Sequence, residues 1–280
     1  GGEYEAVAMS GGNIVASTQF KVGGKRDVIP NAGMDDWSKY SVEGLMVGGE
    51  VSYPNKADGE KFWVSGNNKQ TPNLCSANSV SGVNGARCAM LKGASALGIF
   101  AAGNLFTGEM AFGTSFTAMG CGYARFGQKY TFTARPSALR VRLKANIGTM
   151  THIGANDPLK DKEHIKGQTK DVARIYYCIT DWRERHTVQG GMQLDKNTLW
   201  NPAEQSAVSE GKIIGYGLID ITENTDWKEL SIPVIWYDTV AKPMEGNYSL
   251  VISVASSTYG DYLTGSTESS LCVEDFEWVY

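Results

Sequence analysis

The sequence has no apolar run approaching the roughly 18 residues that a membrane-spanning helix needs, and no signal peptide is visible at its start. A lipid anchor or export signal carried by a precursor is compatible with this chain. There is no cluster of Lys and Arg: the net charge is -4 with 20% charged residues, which excludes the basic stripe of a nucleic-acid surface. The five cysteines lack CxxC or His-flanked spacing, so neither a zinc site nor a full disulfide framework is indicated. They read as small buried apolar residues, with one bridge between Cys75 and Cys88 as the alternative. His152, His164 and His186 form no HExxH, no GxSxG elbow occurs, and the GxG fragments lack the strand-to-helix context of a phosphate loop. Neither an internal repeat nor a long amphipathic helix is found.

What is present is glycine, 33 residues of it, with 10% aromatics and short apolar runs between turn residues. That pattern predicts an all-β chain, and 280 residues suffice for a sizeable core. Strands are expected at GARCAMLKG, LGIFAAGNLFTG, YTFTARP, ALRVRLKAN, ARIYYCITDW, GKIIGYGLIDI, KELSIPVIWY, NYSLVISVASS and SLCVEDFEWVY, enough for two packed sheets. Residues 3–22 read as a hairpin around Gly11 and Gly12. With its linker this makes a first unit, 1–27, before a main domain, 28–280. Polar segments at 152–171 and 183–209 are expected to be functional loops, and NPAEQSAVSEGK a short helix capped by Asn201 with Pro202 at its first position. At the C-terminus a Gly/Ser/Thr loop precedes a closing strand whose apolar positions, Leu271, Val273, Phe276 and Trp278, change register near Asp275.

PNAGMDDWS near the start and DYLTGSTESSLCVEDFEWVY at the end, with GNLFTG, FTARPSALRVRLKAN, DVARIYYCITDW and IGYGLIDITENTDWKELSIPVIWYDT between them, resemble the putative carbohydrate metabolism domain of surface proteins from gut Bacteroidetes. The resemblance covers about 28–280, and SSTYGDYLTGS is its most specific part. It implies a galactose-binding-like jelly-roll β-sandwich, sometimes preceded by an immunoglobulin-like domain of which the hairpin would be a remnant. Related modules hold a structural calcium between an N-terminal NGxFE-like turn and a C-terminal Asp. By that resemblance Asp35 and Asp275 are the metal ligands here, although Met34 replaces the usual aromatic and Asp35 the usual Glu.

Sugars stack their C–H faces on aromatic rings and need donors and acceptors for their hydroxyls. Trp37, Trp63 and Trp182, set in loops or at strand ends beside polar residues, and Tyr259 and Tyr262 in the C-terminal loop, are the expected glycan contacts. Trp200 is a further loop tryptophan, whereas Trp227 and Trp236 are assigned to the core. Hydrolysis would require two carboxyl groups, roughly 5 Å or 6.5–9.5 Å apart. The scattered acids Asp36, Asp58, Glu60, Asp181, Asp226 and Asp261 are candidates, with Asp261 and Asp36 foremost. The expectation is an exported carbohydrate-binding module, at the cell surface or in the periplasm, that takes a glycan or polysaccharide. The alternatives are a glycoside hydrolase and an adhesion or structural module.

Overall fold

The computed structural model describes residues 2–22, 27–79 and 86–280. The short apolar runs become strands β1 (Gly2–Ser10), β2 (Asn13–Val22), β3 (Ser38–Val42), β4 (Gly49–Tyr53), β5 (Trp63–Val64), β6 (Cys75–Ser79), β7 (Arg87–Lys92), β8 (Ala94–Ala96), β9 (Ile99–Ala101) and β10 (Asn104–Phe112). They continue as β11 (Cys121–Phe126), β12 (Gln128–Lys129), β13 (Ala138–Asn146), β14 (Ala173–Trp182), β15 (His186–Gly191), β16 (Ala207–Val208), β17 (Gly211–Ile221), β18 (Thr225–Pro233), β19 (Ile235–Trp236), β20 (Tyr248–Ala255) and β21 (Ser270–Val279). A ten-stranded sheet runs β15-β11-β10-β20-β14-β17-β16, with β5, β12 and β19 attached. A five-stranded sheet runs β18-β13-β21-β7-β6, and β1-β2, β3-β4 and β8-β9 are separate two-stranded sheets. The result is an all-β jelly-roll sandwich whose large sheet is nearly closed.

Period-two alternation divides the apolar residues of the large sheet between two clusters. Leu105, Ile175, Tyr177, Leu250, Ile252 and Val254 face the inter-sheet core, where they meet Leu139, Val141, Leu143, Leu271, Val273 and Trp278 of the smaller sheet. Phe106, Cys178, Val251, Ile213 and Tyr216 point to the other face and form a second cluster with Tyr53, Phe126, Trp182 and Val188. Each fully buried aliphatic side chain contributes about 1.5–3 kcal/mol.

The register change near Asp275 is a β-bulge. Arg140 pairs with Glu277 and Arg142 with Glu274, so Val141 faces two residues of β21. Asp275 takes a left-handed φ of 53°, which returns Phe276 and Trp278 to the core. The N-terminal hairpin forms as expected, with Gly11 and Gly12 at positive φ, and its described side chains, including Tyr4, Met9 and Ile14, are exposed.

Two local expectations and one alternative are corrected. YTFTARP is irregular; Tyr130 and Phe132 instead pack edge-on near Trp278 at the rim of the core. NPAEQSAVSEGK makes only one turn: Asn201 caps Ala203 through Oδ1, but the chain then turns into β16. Cys75 and Cys88 are both free thiols; Cys75 lies in the inter-sheet core, while Cys88 precedes the core residue Ala89 and so faces the other way.

Candidate functional site

The segment 256–269 links β20 to β21 and is held from beneath by Asp171. Asp171 Oδ2 accepts hydrogen bonds from Ser257 Oγ (2.6 Å), Ser269 Oγ (2.9 Å) and Ser266 N (2.9 Å), and its Oδ1 accepts from Val172 N (2.9 Å). Burial pushes the Asp171 carboxyl above its ordinary pKa against the pull of these donors. Gly265 is required here, because at its φ of +155° a Cβ would lie 2.5 Å from that of Ser257.

A second clamp ties the same loop to the polar excursion after β13. Asp157 Oδ2 accepts from His164 Nδ1 (2.8 Å) and Thr264 Oγ1 (2.8 Å), and the His164 ring meets Tyr259 edge-on at 4.3 Å. Burial raises the Asp157 pKa, but the bonds from Leu159 N, His164 and Thr264 outweigh it and hold the carboxyl below its ordinary value. His152 pairs with Gly265 as an antiparallel bridge. Gly154 approaches so closely that a Cβ would sit 1.7 Å from Tyr262 O.

These clamps present the turn Gly260–Tyr262 and the left-handed Leu263 between two depressions. One, of about 220 Å³, is lined by Ile99, Asn156, Met192, Leu194, Asp261 and Tyr262. The other, of about 500 Å³, is lined by Phe100, His152, Ile153, Lys160, Asp161 and Lys166, and the two share Ile99, Ala155 and Leu263 as walls. Asp261 is exposed to solvent, yet desolvation by the surrounding protein pushes its pKa up, the situation of a carboxyl in a concavity. The position where a Gly190 Cβ would stand is 3.5 Å from Asp261 Oδ1, an ordinary van der Waals contact, so β15 passes directly beside the carboxyl. In the larger depression His152 stacks on Phe100 at 5.6 Å, and burial together with the Lys166 charge lowers its pKa.

The expected site residues do not all converge. Asp261 and Tyr262 share the smaller depression, and Tyr259 lies behind them, 6.2 Å from the Tyr262 ring. Trp63 and Trp182 are corrected to core residues: both are fully buried, so neither ring offers a face to a sugar. Trp37 is half-buried against the inter-sheet core with Nε1 donating to Met34 O at 2.8 Å. Trp227 and Trp236, expected in the core, are half-exposed beneath the guanidinium groups of Arg142 and Arg135. Trp200 is half-buried, edge-on to Tyr176 and Trp182 over the second apolar cluster.

Asp36 belongs to a different structure. Its backbone N–H donates to Asn31 Oδ1 (3.1 Å) and its carbonyl accepts from Asn31 Nδ2, which also reaches Pro54 O. No interaction joins it to Asp261 among the described residues, so the pair Asp261 and Asp36 is not assembled. The other acids are dispersed as well; Asp181 accepts from Met244 N and Asn247 Nδ2, and Asp226 pairs with Lys144. His152, Phe100, Ile99, Asn156 and Lys166 were not singled out by motif. The only sequence signal for most of them was the polar, irregular character of 152–171.

Asp35 and Asp275 do come together. The turn at 31–35 docks on the β21 bulge through Phe276 N and Ala32 O (3.1 Å), with Met34 buried in the inter-sheet core. A Cβ on Gly33 would stand 3.1 Å from Asp35 Oδ2 and 3.6 Å from Asp275 Oδ1, so both carboxylates border one cradle that a side chain would fill. Asp35 Oδ1 also accepts from Arg87 N at 2.9 Å. Carboxylate oxygens are the donor type that calcium takes, and no third His, Cys, Asp or Glu joins this pair among the described residues.

The fold and these sites define a jelly-roll domain whose concavities lie where its loops meet β9 and the end of β15. The chain belongs to the putative carbohydrate metabolism domain family, whose sequence model matches residues 36–279. Its fold is similar to that of a putative glycoside hydrolase from Bacteroides vulgatus, with a TM-score of 0.60 and 20% identity over 88% of this chain and 96% of that one. It is also similar to a putative glycoside hydrolase from Bacteroides thetaiotaomicron, with a TM-score of 0.54 and 17% identity over 99% of this chain and 78% of that one. No curated protein matches the sequence.

Proposed function

We propose that this domain is a carbohydrate-binding module that captures polysaccharide through the two depressions flanking Leu263. The observation that carries the reading is the Asp261–Leu263 turn. It offers a solvent-reaching carboxyl and a tyrosine ring to one concavity, while the His152–Phe100 stack lines the next. Sugar hydroxyls and C–H faces call for this mixture of polar groups and rings. Affinity electrophoresis against plant and host polysaccharides tests it. At least one glycan should retard the wild-type chain, and Asp261→Ala with Tyr262→Ala should abolish the retardation; mobility unchanged by every glycan counts against binding.

Sugar processing is the second reading, favoured by the raised pKa of Asp261, which suits a general acid. Against it, Asp157 near this turn is engaged by His164 and Thr264, and Asp161 lines the neighbouring depression together with Lys160 and Lys166. Release of reducing sugar that stops in Asp261→Asn supports processing. Release that persists in Asp261→Ala and Asp36→Ala removes both acids from the mechanism.

The same reading makes Asp35 and Asp275 the ligands of a structural calcium. Bound there, the ion would supply charge neutralisation and join the 31–35 turn to the closing strand. It also makes the protein an exported one, at the cell surface or in the periplasm with a lipid anchor in its precursor. Protease accessibility on intact cells tests that placement.

A further inference from the structure

The outer face of the five-stranded sheet carries two cysteines unrelated to the grooves. Cys272 of β21 stands directly opposite Lys144 of β13 on one side and Met90 of β7 on the other. Cys88 lies two residues before Met90 on the same strand, and therefore on the same face, directly opposite Asn78 of β6. The two thiols are thus diagonal neighbours across adjacent antiparallel strands, and the Cys88 thiol interacts with the Cys272 sulfur. Their environments differ: Cys88 is fully buried, while Cys272 is partly exposed.

We propose that Cys272 and Cys88 form a peroxide-responsive dithiol, Cys272 as the attacking and Cys88 as the resolving cysteine, which closes to a disulfide linking β21 to β7. The supporting electrostatics agree. The Cys88 hydrogen bond, with Asn78 and the Lys144 charge adding to it and burial opposing, holds the Cys272 thiol below its ordinary pKa. The Cys88 thiol is pushed up by its bond to Cys272 and by burial. Cys75 and Cys178, pushed up by burial alone, stay as inert thiols.

The chemistry balances in two steps. The Cys272 thiolate attacks one oxygen of hydrogen peroxide; an S–O bond forms, the O–O bond breaks, and hydroxide leaves. The Cys88 sulfur then attacks the sulfenic sulfur; the S–S bond forms, the S–O bond breaks, and the departing hydroxide takes the Cys88 proton as water. A diagonal pair starts wider than the roughly 3.5–4.5 Å between the Cβ atoms of a disulfide, so β21 and β7 must shift toward each other as the side chains rotate to the ~2.05 Å S–S bond.

The full chain, reduced and then treated with hydrogen peroxide, should be alkylated, digested and analysed by mass spectrometry. The five thiols of the reduced chain should fall by two, with one linked peptide joining Cys88 to Cys272, and brief iodoacetamide treatment of the reduced protein should label Cys272 first. In Cys88→Ser, dimedone should trap a sulfenic acid at Cys272; in Cys272→Ser neither the link nor the trap should form. An unchanged thiol count, or a link between any other pair in the wild-type chain, overturns the proposal without reference to how the variants fold.

Discussion

Ser257 Oγ donates a 2.6 Å hydrogen bond to Asp171 Oδ2, so a buried carboxylate at the foot of β14 fixes the loop that bears Asp261. Ser269 Oγ and Ser266 N complete the same acceptor. Replacing Asp171 by Ala strands these donors out of reach of water, at about 1–3 kcal/mol for each one left unpaired. Thermal unfolding should show a fall of at least about 2 kcal/mol. Asp171→Asn should also destabilise, because an amide has one acceptor oxygen: if it serves Ser257, Ser266 and Ser269, the NH2 group faces the Val172 N–H that Oδ1 accepts from in the wild type.

Asp157 predicts an acid-sensitive loop. Its pKa lies below the ordinary value, so the unfolded chain binds the proton more tightly than the fold does. The stabilisation is therefore complete above the unfolded value of about 3.9. It is lost as pH falls from there through the folded value. Stability measured across this window should drop more steeply for the wild type than for Asp157→Asn, and equal slopes would show that Asp157 does not hold the clamp.

At the groove, Asp261→Ala and Tyr262→Ala should weaken glycan retention with little change in Tm, since Asp261 is exposed and makes no hydrogen bond among the described residues. Gly190→Val should act the same way by filling the space beside Asp261 Oδ1. A loss of Tm that parallels every loss of binding would make these positions structural.

Calcium removal supplies a separate test. With Asp35 and Asp275 as ligands, a chelator should lower the Tm of the wild type, added calcium should restore it, and Asp275→Ala should be insensitive to both. A wild-type melting curve that the chelator leaves unchanged would sink the calcium assignment.

The two fully buried tryptophans should respond differently to the same substitution. Trp63 Nε1 donates to Pro30 O at 2.8 Å, whereas Trp182 Nε1 has no partner among the described residues. Trp63→Phe should cost about 1 kcal/mol more than Trp182→Phe in denaturant unfolding, the net value of the lost hydrogen bond.

Much of the fold was legible in the linear pattern. ALRVRLKAN, ARIYYCITDW and GKIIGYGLIDI became β13, β14 and β17, and the bulge at Asp275 was visible as a break in period-two alternation. The loop containing Tyr259, Asp261 and Tyr262 was legible as a glycine-rich interruption before the last strand. The exposure of individual tryptophans was not. Trp63 and Trp182 sit at strand positions whose inner or outer facing depends on which sheet covers them, and local polarity carries no information about that.

Local sequence determined the all-β class, the strand sites, the closing bulge and the glycine positions, because each follows from side-chain alternation and φ preferences within a few residues. Tertiary structure alone decided the site. The curl of the large sheet brings Gly190 of β15 beside Asp261, the Asp171 and Asp157 clamps join segments far apart in the chain, and Gly33 gathers Asp35 and Asp275. Such meetings arise from long-range packing of two sheets, which no spacing along the chain records.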